Sequence, residues 1–243
     1  MRLWLWLIVA VVAMLPSLAA AQDVTLSLGE GGSISARTIQ LILLITVLSL
    51  APGLAIMITC FPFLITVLAI LRQGIGLQQS PPNMLIVSLA LFLTYFIMEP
   101  VFTEAWTVGI EPLINEALEV ETALERALNP FREFMAARLD VETFQSMAAL
   151  RPGGEGMLLS PDAPLSVLMP SFMLSEIARA FQIGFLIFLP FLIIDLVVAA
   201  VLMSMGMMMV PPAIVSLPFK LAFFVIADGW ALIASALVRS YMP

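Results

Sequence analysis

The fold of this chain is decided by residues 181–230, which read FQIGFLIFLPFLIIDLVVAAVLMSMGMMMVPPAIVSLPFKLAFFVIADGW. Two apolar runs flank a cluster of methionines, and each run is long enough to cross the ~30 Å hydrocarbon core of a bilayer. The first run contains Asp195, and the second contains Lys220 and Asp228. Charges of this kind are costly against lipid alone. The stretch therefore predicts a membrane hairpin whose helices pack against other protein.

The composition of the whole chain supports a membrane protein. Of its 243 residues, 62% are hydrophobic and 11% are charged, and the mean hydropathy is +1.10. A soluble domain normally has about 25% charged residues. The net charge of −7 argues against a nucleic-acid surface. We predict an all-α membrane protein of about four hydrophobic, kinked helices in two hairpins, with a helical periplasmic insert.

Residue types and motifs argue against an enzyme. The chain has no histidine and one cysteine, Cys60, which excludes internal disulfides, histidine-based triads and His/Cys metal sites. The Gly-Ile-Gly at residues 74–76 continues into neither a dinucleotide-binding nor a phosphate-binding loop. We expect no catalytic residues, no cofactor and no metal.

The N-terminus has the pattern of a signal peptide. Arg2 precedes an apolar core from Leu3 to Leu15, and an Ala-x-Ala sequence ends at Ala21. We expect cleavage after Ala21, which leaves residues 22–38 as a periplasmic segment. The alternative is an uncleaved first membrane helix, although the apolar run is shorter than the ~20 residues that span a bilayer.

Three further regions follow the signal peptide and the N-terminal segment. Residues 39–98 predict the first membrane hairpin, with a break at Pro52-Gly53 or Pro62 and with Asn83 as the cap of the next helix. Residues 99–175 are acidic and have helical periodicity, so they predict a periplasmic domain. Within it, Asn129-Pro130 predicts the end of one helix and the start of another. Residues 176–243 predict the second hairpin, which contains the methionine turn.

The charged residues of the second hairpin are candidates for buried packing within or between subunits. Asp195 and Lys220 lie at similar distances from the methionine turn, so we predict that they pair with each other or with a neighbouring subunit. A water-lined cavity and a role in an ion pathway are the alternatives. Glu176 and Arg179 are spaced for an (i, i+3) ion pair. Asp228 belongs to the same candidate set.

The methionines of the turn admit two interpretations. Loose packing at a helix end is the simpler one. The other is a pore gate, because methionine side chains are flexible and polarisable and adapt to irregular surfaces. Gly206 would give the turn backbone freedom. The candidate gate residues are Met205, Met207, Met208 and Met209.

Four stretches carry a resemblance to a known family. They read LRQGIGLQQSPPN (71–83), LALFLTYFIMEPVF (89–102), FQIGFLIFLPFLIIDLVVAAVLMSMGMMMVPP (181–212) and SLPFKLAFFVIADGW (216–230). They resemble the FliP family of flagellar export-gate subunits, which is related to the R-type subunit of virulence type III secretion systems. The similarity runs from about Ile39 to the end of the chain.

The resemblance implies a function and an assembly. It implies a core component of the flagellar type III export gate in the bacterial inner membrane, within the basal body and with a large periplasmic portion. It also implies a pentamer of this chain joined by FliQ- and FliR-type subunits and the larger export apparatus. Unfolded flagellar subunits would be conducted past a constriction at Met205, Met207, Met208 and Met209.

One position departs from the family, and two other functions remain open. Many relatives read Thr-Ser-Phe-Thr-Arg where this chain has Thr59-Cys60-Phe61-Pro62-Phe63, so no contact of that arginine can be carried over to Phe63. The chain could alternatively be an ion or proton channel subunit of a secretion motor, using Asp195, Lys220 and Asp228. It could also be the equivalent gate subunit of a virulence injectisome.

Overall fold

The computed structural model describes residues 34–77, 81–207 and 209–242. The predicted signal peptide with its cleavage site at Ala21, residues 22–33 of the segment 22–38, and Met208 lie outside these residues. The chain divides into two units, Met1–Ser49 and Leu50–Pro243. The boundary between the units falls within the first described helix.

The described residues form helices connected by turns and by one longer loop, residues 150–164, and no strand occurs in these three ranges. The prediction of an all-α fold is therefore confirmed. The helices are α1 (Ile34–Met57), α2 (Phe61–Ile75), α3 (Asn83–Ala105), α4 (Glu111–Ile114), α5 (Val120–Arg138), α6 (Val141–Ala149), α7 (Leu165–Ser204), α8 (Pro212–Ile226) and α9 (Gly229–Arg239). A π-helical turn, Trp106–Ile110, joins α3 to α4.

Three described helical stretches are long and apolar enough to cross a membrane: Thr38–Met57, Asn83–Ile114 and Leu165–Ser204. The pair α8 and α9 is bent by 61° and forms a fourth if it counts as one broken span. The 40 residues of α7 extend about 60 Å at ~1.5 Å per residue, twice the ~30 Å hydrocarbon core. Helix α7 is therefore about twice as long as a perpendicular span requires.

The short helix α2 is the most deeply buried helix. Phe63, Leu64, Val67 and Leu71 are fully buried on one face at helical spacing, because α2 packs between α3 and α7. A Cβ atom added to Gly184 in α7 would lie 2.4 Å from Ile70 Cδ1, so this glycine lets the two helices approach closely. This core positions the C-terminal end of α2 against the second hairpin.

The predicted break in the first apolar run is present. It lies just before Pro62 and not at Pro52. Helix α1 continues through Pro52 and ends at Met57. Helix α2 begins at Phe61 with Pro62 in its first turn, where a missing N–H group removes no helical hydrogen bond. The expected cap at Asn83 is wrong, because Asn83 is the first residue of α3 and its Oδ1 instead accepts a hydrogen bond from Arg72 Nη1.

The acidic insert contains a second apolar cluster, formed by α5, α6 and the beginning of α7. Met135, Phe144, Leu168 and Phe172 are buried there. The predicted helix boundary at Asn129-Pro130 is wrong, since α5 is continuous from Val120 to Arg138. Residue 176, where the second hairpin was expected to begin, lies inside α7, so the insert and the hairpin share one helix.

An aspartate begins α6. Asp140 Oδ1 accepts hydrogen bonds from the backbone N–H group of Thr143 at 2.8 Å and from its hydroxyl at 2.9 Å. These two hydrogen bonds stabilise the carboxylate and lower the pKa of Asp140 below its ordinary value. The Ser175 hydroxyl in α7 accepts a hydrogen bond from the backbone N–H group of Asp140 at 3.1 Å. The start of α6 is thereby fixed to α7.

Candidate functional site: the methionine turn and its charged supports

The methionine turn connects the two helices of the second hairpin. Helix α7 ends at Ser204, and Gly206 adopts a left-handed φ of 74°. The Gly206 N–H group donates to Met203 O at 3.1 Å, and the Met207 N–H group donates to Leu202 O at 3.0 Å. This pair of bonds is a Schellman motif, which satisfies two of the last carbonyls of the helix and favours glycine at the left-handed position.

The described methionines of the turn point away from the rest of the chain. Met205 is 67% exposed, Met207 42% and Met209 97%, and Met203 on the last turn of α7 is also exposed. Most of the surface of Met205 and nearly all of that of Met209 is uncovered within the described residues. The turn therefore has flexible thioether groups on its surface, where they can contact another molecule.

An ion pair joins the two helices of the hairpin. Lys220 Nζ lies 2.6 Å from Asp195 Oδ2, and the Ser216 hydroxyl donates to Asp195 Oδ1 at 2.5 Å. The predicted contact between Asp195 and Lys220 is thus present within one chain. Only 6% of the Lys220 side chain is exposed, against 30% for Asp195. Burial makes the partner of the lysine necessary, because an unpaired buried ammonium is costly.

The same lysine also reaches a third helix. Lys220 Nζ donates to the Gly74 carbonyl at 3.2 Å. Gly74 lies in the last turn of α2, where carbonyl groups have no partner within the helix and the helix dipole is negative. One ammonium group therefore connects α2, α7 and α8 on the side of the methionine turn. The sequence indicated the Asp195 contact but contained no signal for the Gly74 carbonyl.

A second charged cluster surrounds Glu176, which is fully buried in α7. Glu176 Oε1 lies 3.6 Å from Arg179 Nη1, as the (i, i+3) spacing predicts, and 3.5 Å from Arg138 Nε at the end of α5. The Tyr241 hydroxyl donates to Glu176 Oε2. This cluster joins the insert, α7 and the C-terminal residues.

Arg138 and Tyr241 were not identified from the sequence. The Arg138 guanidinium lies over the Tyr241 ring at 3.9 Å and donates to the Ser240 carbonyl at 2.7 Å. Both residues are distant from Glu176 in sequence, so no spacing rule connects them. The sequence does show that Glu176 lies within an apolar helix. A buried carboxylate requires a cation nearby, so this position predicts a basic partner without saying which residue it is.

Phe63 lies against the same cluster. Its side chain is fully buried, and its ring centroid is 5.4 Å from that of Tyr241 in an edge-to-face arrangement. At this position of the family motif, the chain therefore contributes an aromatic contact and no charge.

Asp228 is separate from both charged networks. It is exposed, and it has a left-handed φ of 47° at the bend between α8 and α9. The structure does not bring it to Asp195 or Glu176, and its packing between subunits stays a prediction. Within the described residues, no group of three or more acidic, histidine or cysteine side chains could hold a metal ion.

Comparison with known proteins places this architecture in a family. The model of the FliP family matches residues 44–237. The chain is 49% identical to a flagellar biosynthetic protein FliP of Caulobacter vibrioides, over 94% of this chain and 86% of that protein. It is 46% identical to the protein of the same name from Agrobacterium fabrum, over 96% and 97% of the two chains.

A distant bacterium provides a further relative. The flagellar biosynthetic protein FliP of Bacillus subtilis is 46% identical to this chain, over 84% of this chain and 92% of that protein. The residues that the family model matches include the methionine turn, most of the described helices, and both charged networks apart from Ser240 and Tyr241. On this coverage and identity, the chain belongs to the FliP family.

Proposed function

We propose that the chain is a channel-forming component of the flagellar type III export gate, which conducts unfolded flagellar subunits across the inner membrane. The observation that carries this proposal is the exposed methionine turn at the apex of a hairpin whose helices are tied together by Asp195 and Lys220. The relatives described above are named flagellar biosynthetic proteins, which supports the flagellar setting.

The proposed gate works through side-chain flexibility. Repeated around a symmetric ring of subunits, Met205, Met207, Met208 and Met209 would fill the axis with thioether groups. These groups re-pack at low energetic cost, so they close around chains of different sequence and seal when none is present. The charged contacts of Lys220 hold the hairpin in place while the turn moves.

The exposed apolar surface supports an assembly in a membrane. Every side chain that the structure describes in the stretch Thr38–Met57 is exposed, and only 11% of the most apolar part of α7 is buried. Apolar surfaces of this extent are normally covered by lipid or by other protein. We propose a pentamer of this chain with FliQ- and FliR-type subunits, located in the inner membrane at the basal body with a large periplasmic portion.

The two other functions receive less support. An ion or proton pathway through Asp195 requires a carboxylate open to exchange, whereas both oxygens of Asp195 are engaged by Lys220 and Ser216. A virulence injectisome is disfavoured by the flagellar names of the relatives. We propose no enzymatic role, so the energy for export comes from other components.

The test is photo-crosslinking during export. A photoreactive amino acid at Met209 should capture a flagellar subunit stalled in transit by a folded fusion. The same amino acid at Met84, which is exposed at the start of α3, serves as the matched control. Adducts at both positions or at neither would contradict the placement of the methionine turn on the export path.

A further inference from the structure

A cavity of about 900 Å³ lies between α2, α7 and α8. This volume is within the range of small-molecule binding sites, roughly 300–1,000 Å³. Ile70 lies beside Gly184, and Gly74 lies beside Phe188 and Phe191, so α2 and α7 run in the same direction along the cavity. The residues that line the cavity can therefore be placed in order along these two helices.

The two ends of the cavity differ in polarity. At the end near the middle of α2, the walls are apolar and include Ile65, Ala69 and Phe181. At the end near the C-terminus of α2, they include Arg72 and Gln73, together with Asp195 and Lys220 from the hairpin. The cavity is thus an amphipathic groove, with an apolar part along the helices and a polar part at the C-terminal end of α2.

The polar end has one uncompensated positive charge. Asp195 and Lys220 neutralise each other through their 2.6 Å contact. Arg72 donates to the neutral side chain of Asn83, and among the ion pairs of the described residues none involves Arg72. A guanidinium beside an apolar groove is suited to bind phosphate oxygens. The charge and the apolar groove together match an anionic lipid.

We propose that this cavity binds one anionic phospholipid. The phosphate of the headgroup contacts Arg72 and Gln73, and an acyl chain lies along the groove past Ala69 towards Phe181. Arg72 lies in the last turn of α2 and donates to Asn83, the first residue of a stretch that could cross a membrane. This position agrees with the proposal, because headgroups lie at the ends of membrane helices and anionic lipids attract arginine there. The inference requires that the chain reside in a membrane, and it does not depend on export.

The experiment measures retained lipid by native mass spectrometry. The protein is purified in its native oligomer, delipidated, and incubated in lipid discs of phosphatidylcholine with a minor fraction of phosphatidylglycerol. The wild-type protein should retain phosphatidylglycerol over phosphatidylcholine. Arg72→Gln should reduce phosphatidylglycerol retention about fivefold, the equivalent of the ~1 kcal/mol contributed by one arginine near an anionic surface. Arg239→Gln, which removes an exposed arginine at the end of α9, should leave retention unchanged.

A second variant tests the apolar part of the site. Ala69 is exposed in the groove, so Ala69→Trp should block the acyl chain without disturbing the core, and it should reduce retention of both lipids. Wild-type retention in both variants would overturn the proposal. So would displacement of the lipid by inorganic phosphate alone, which would indicate an ion site. A changed number of subunits with unchanged lipid would show that a second copy of the chain fills the groove.

Discussion

Lys220 carries its ammonium group into a site where 6% of the side chain is exposed. The charge is tolerated because Asp195, the Gly74 carbonyl and the end of the α2 dipole all stabilise it. The Asp195 contact could be predicted from the sequence, since both residues interrupt apolar runs at similar distances from one turn. The contacts of Glu176 with Arg138 and Tyr241 could not, because they depend on how the insert and the C-terminal residues meet.

Replacement of Asp195 by asparagine should destabilise the second hairpin. The substitution leaves Lys220 buried without its carboxylate, which costs about 3–5 kcal/mol for a broken buried pair. We expect less folded protein and a lower thermal midpoint in detergent. The double variant Asp195→Asn with Lys220→Met should recover much of the loss, because no unpaired charge remains. If the single variant assembles normally but loses ion flux, Asp195 serves an ion pathway instead.

The start of α6 should depend on pH through Asp140. Because the folded pKa of this carboxyl group is lowered, its stabilising effect is complete above the ordinary pKa of about 3.9 and is lost as pH falls through the lower folded value. The protection of the Thr143 amide against hydrogen exchange, measured relative to the intrinsic exchange rate at each pH, should therefore fall in acid. In Asp140→Asn, the amide oxygen still caps the helix without titrating at this pH. If the Thr143 amide of Asp140→Asn shows the same change in acid, a group other than Asp140 causes it.

At the scale of elements, local sequence patterns predicted where the helices lie more accurately than where each helix begins and ends. Both apolar runs and the turn between α7 and α8 follow from hydropathy and from the Met-Gly sequence. Pro130 indicated a helix end, yet α5 continues through it. One lost hydrogen bond there is offset by packing, since Pro130 and Met135 are buried against neighbouring helices. Such tertiary contacts cannot be inferred from the cap pattern alone.

The contact between α2 and α7 should be sensitive to one methyl group. An alanine in a helix normally gains about 0.5–1 kcal/mol over glycine. At Gly184 the added Cβ would lie 2.4 Å from Ile70 Cδ1, and overpacking of this kind costs about 1–3 kcal/mol. Gly184→Ala should therefore lower the thermal midpoint, and adding Ile70→Ala should restore part of it.

The matched control for this prediction is Gly53→Ala in α1, where nothing lies within 4 Å of an added Cβ. That variant should unfold at or above the temperature of the unmodified protein. An equal loss in Gly53→Ala and Gly184→Ala would show that the helices tolerate the methyl group and that the loss has another origin.

At the scale of the whole molecule, one helix connects the acidic insert with the methionine turn. Helix α7 begins beside α5 and α6, passes Glu176 and Asp195 in turn, and ends at Ser204. Glu176 and Asp195 each contact a different set of neighbours and join it to the same helix. The sequence predicted that the second hairpin begins at residue 176, whereas α7 begins at Leu165 and its first residues pack against the insert. The exposed turn is thus carried on a rigid support.

The most direct test of the central claim is replacement of Met207, Met208 and Met209 together by alanine. Alanine removes the flexible thioether groups and leaves the Schellman turn at Gly206 intact. Cells with the triple variant should leak ions or small solutes through the inner membrane while export of flagellar subunits is largely retained, and Met242→Ala should show no leak. A membrane seal that is unchanged in the triple variant would contradict the assignment of this turn as the gate.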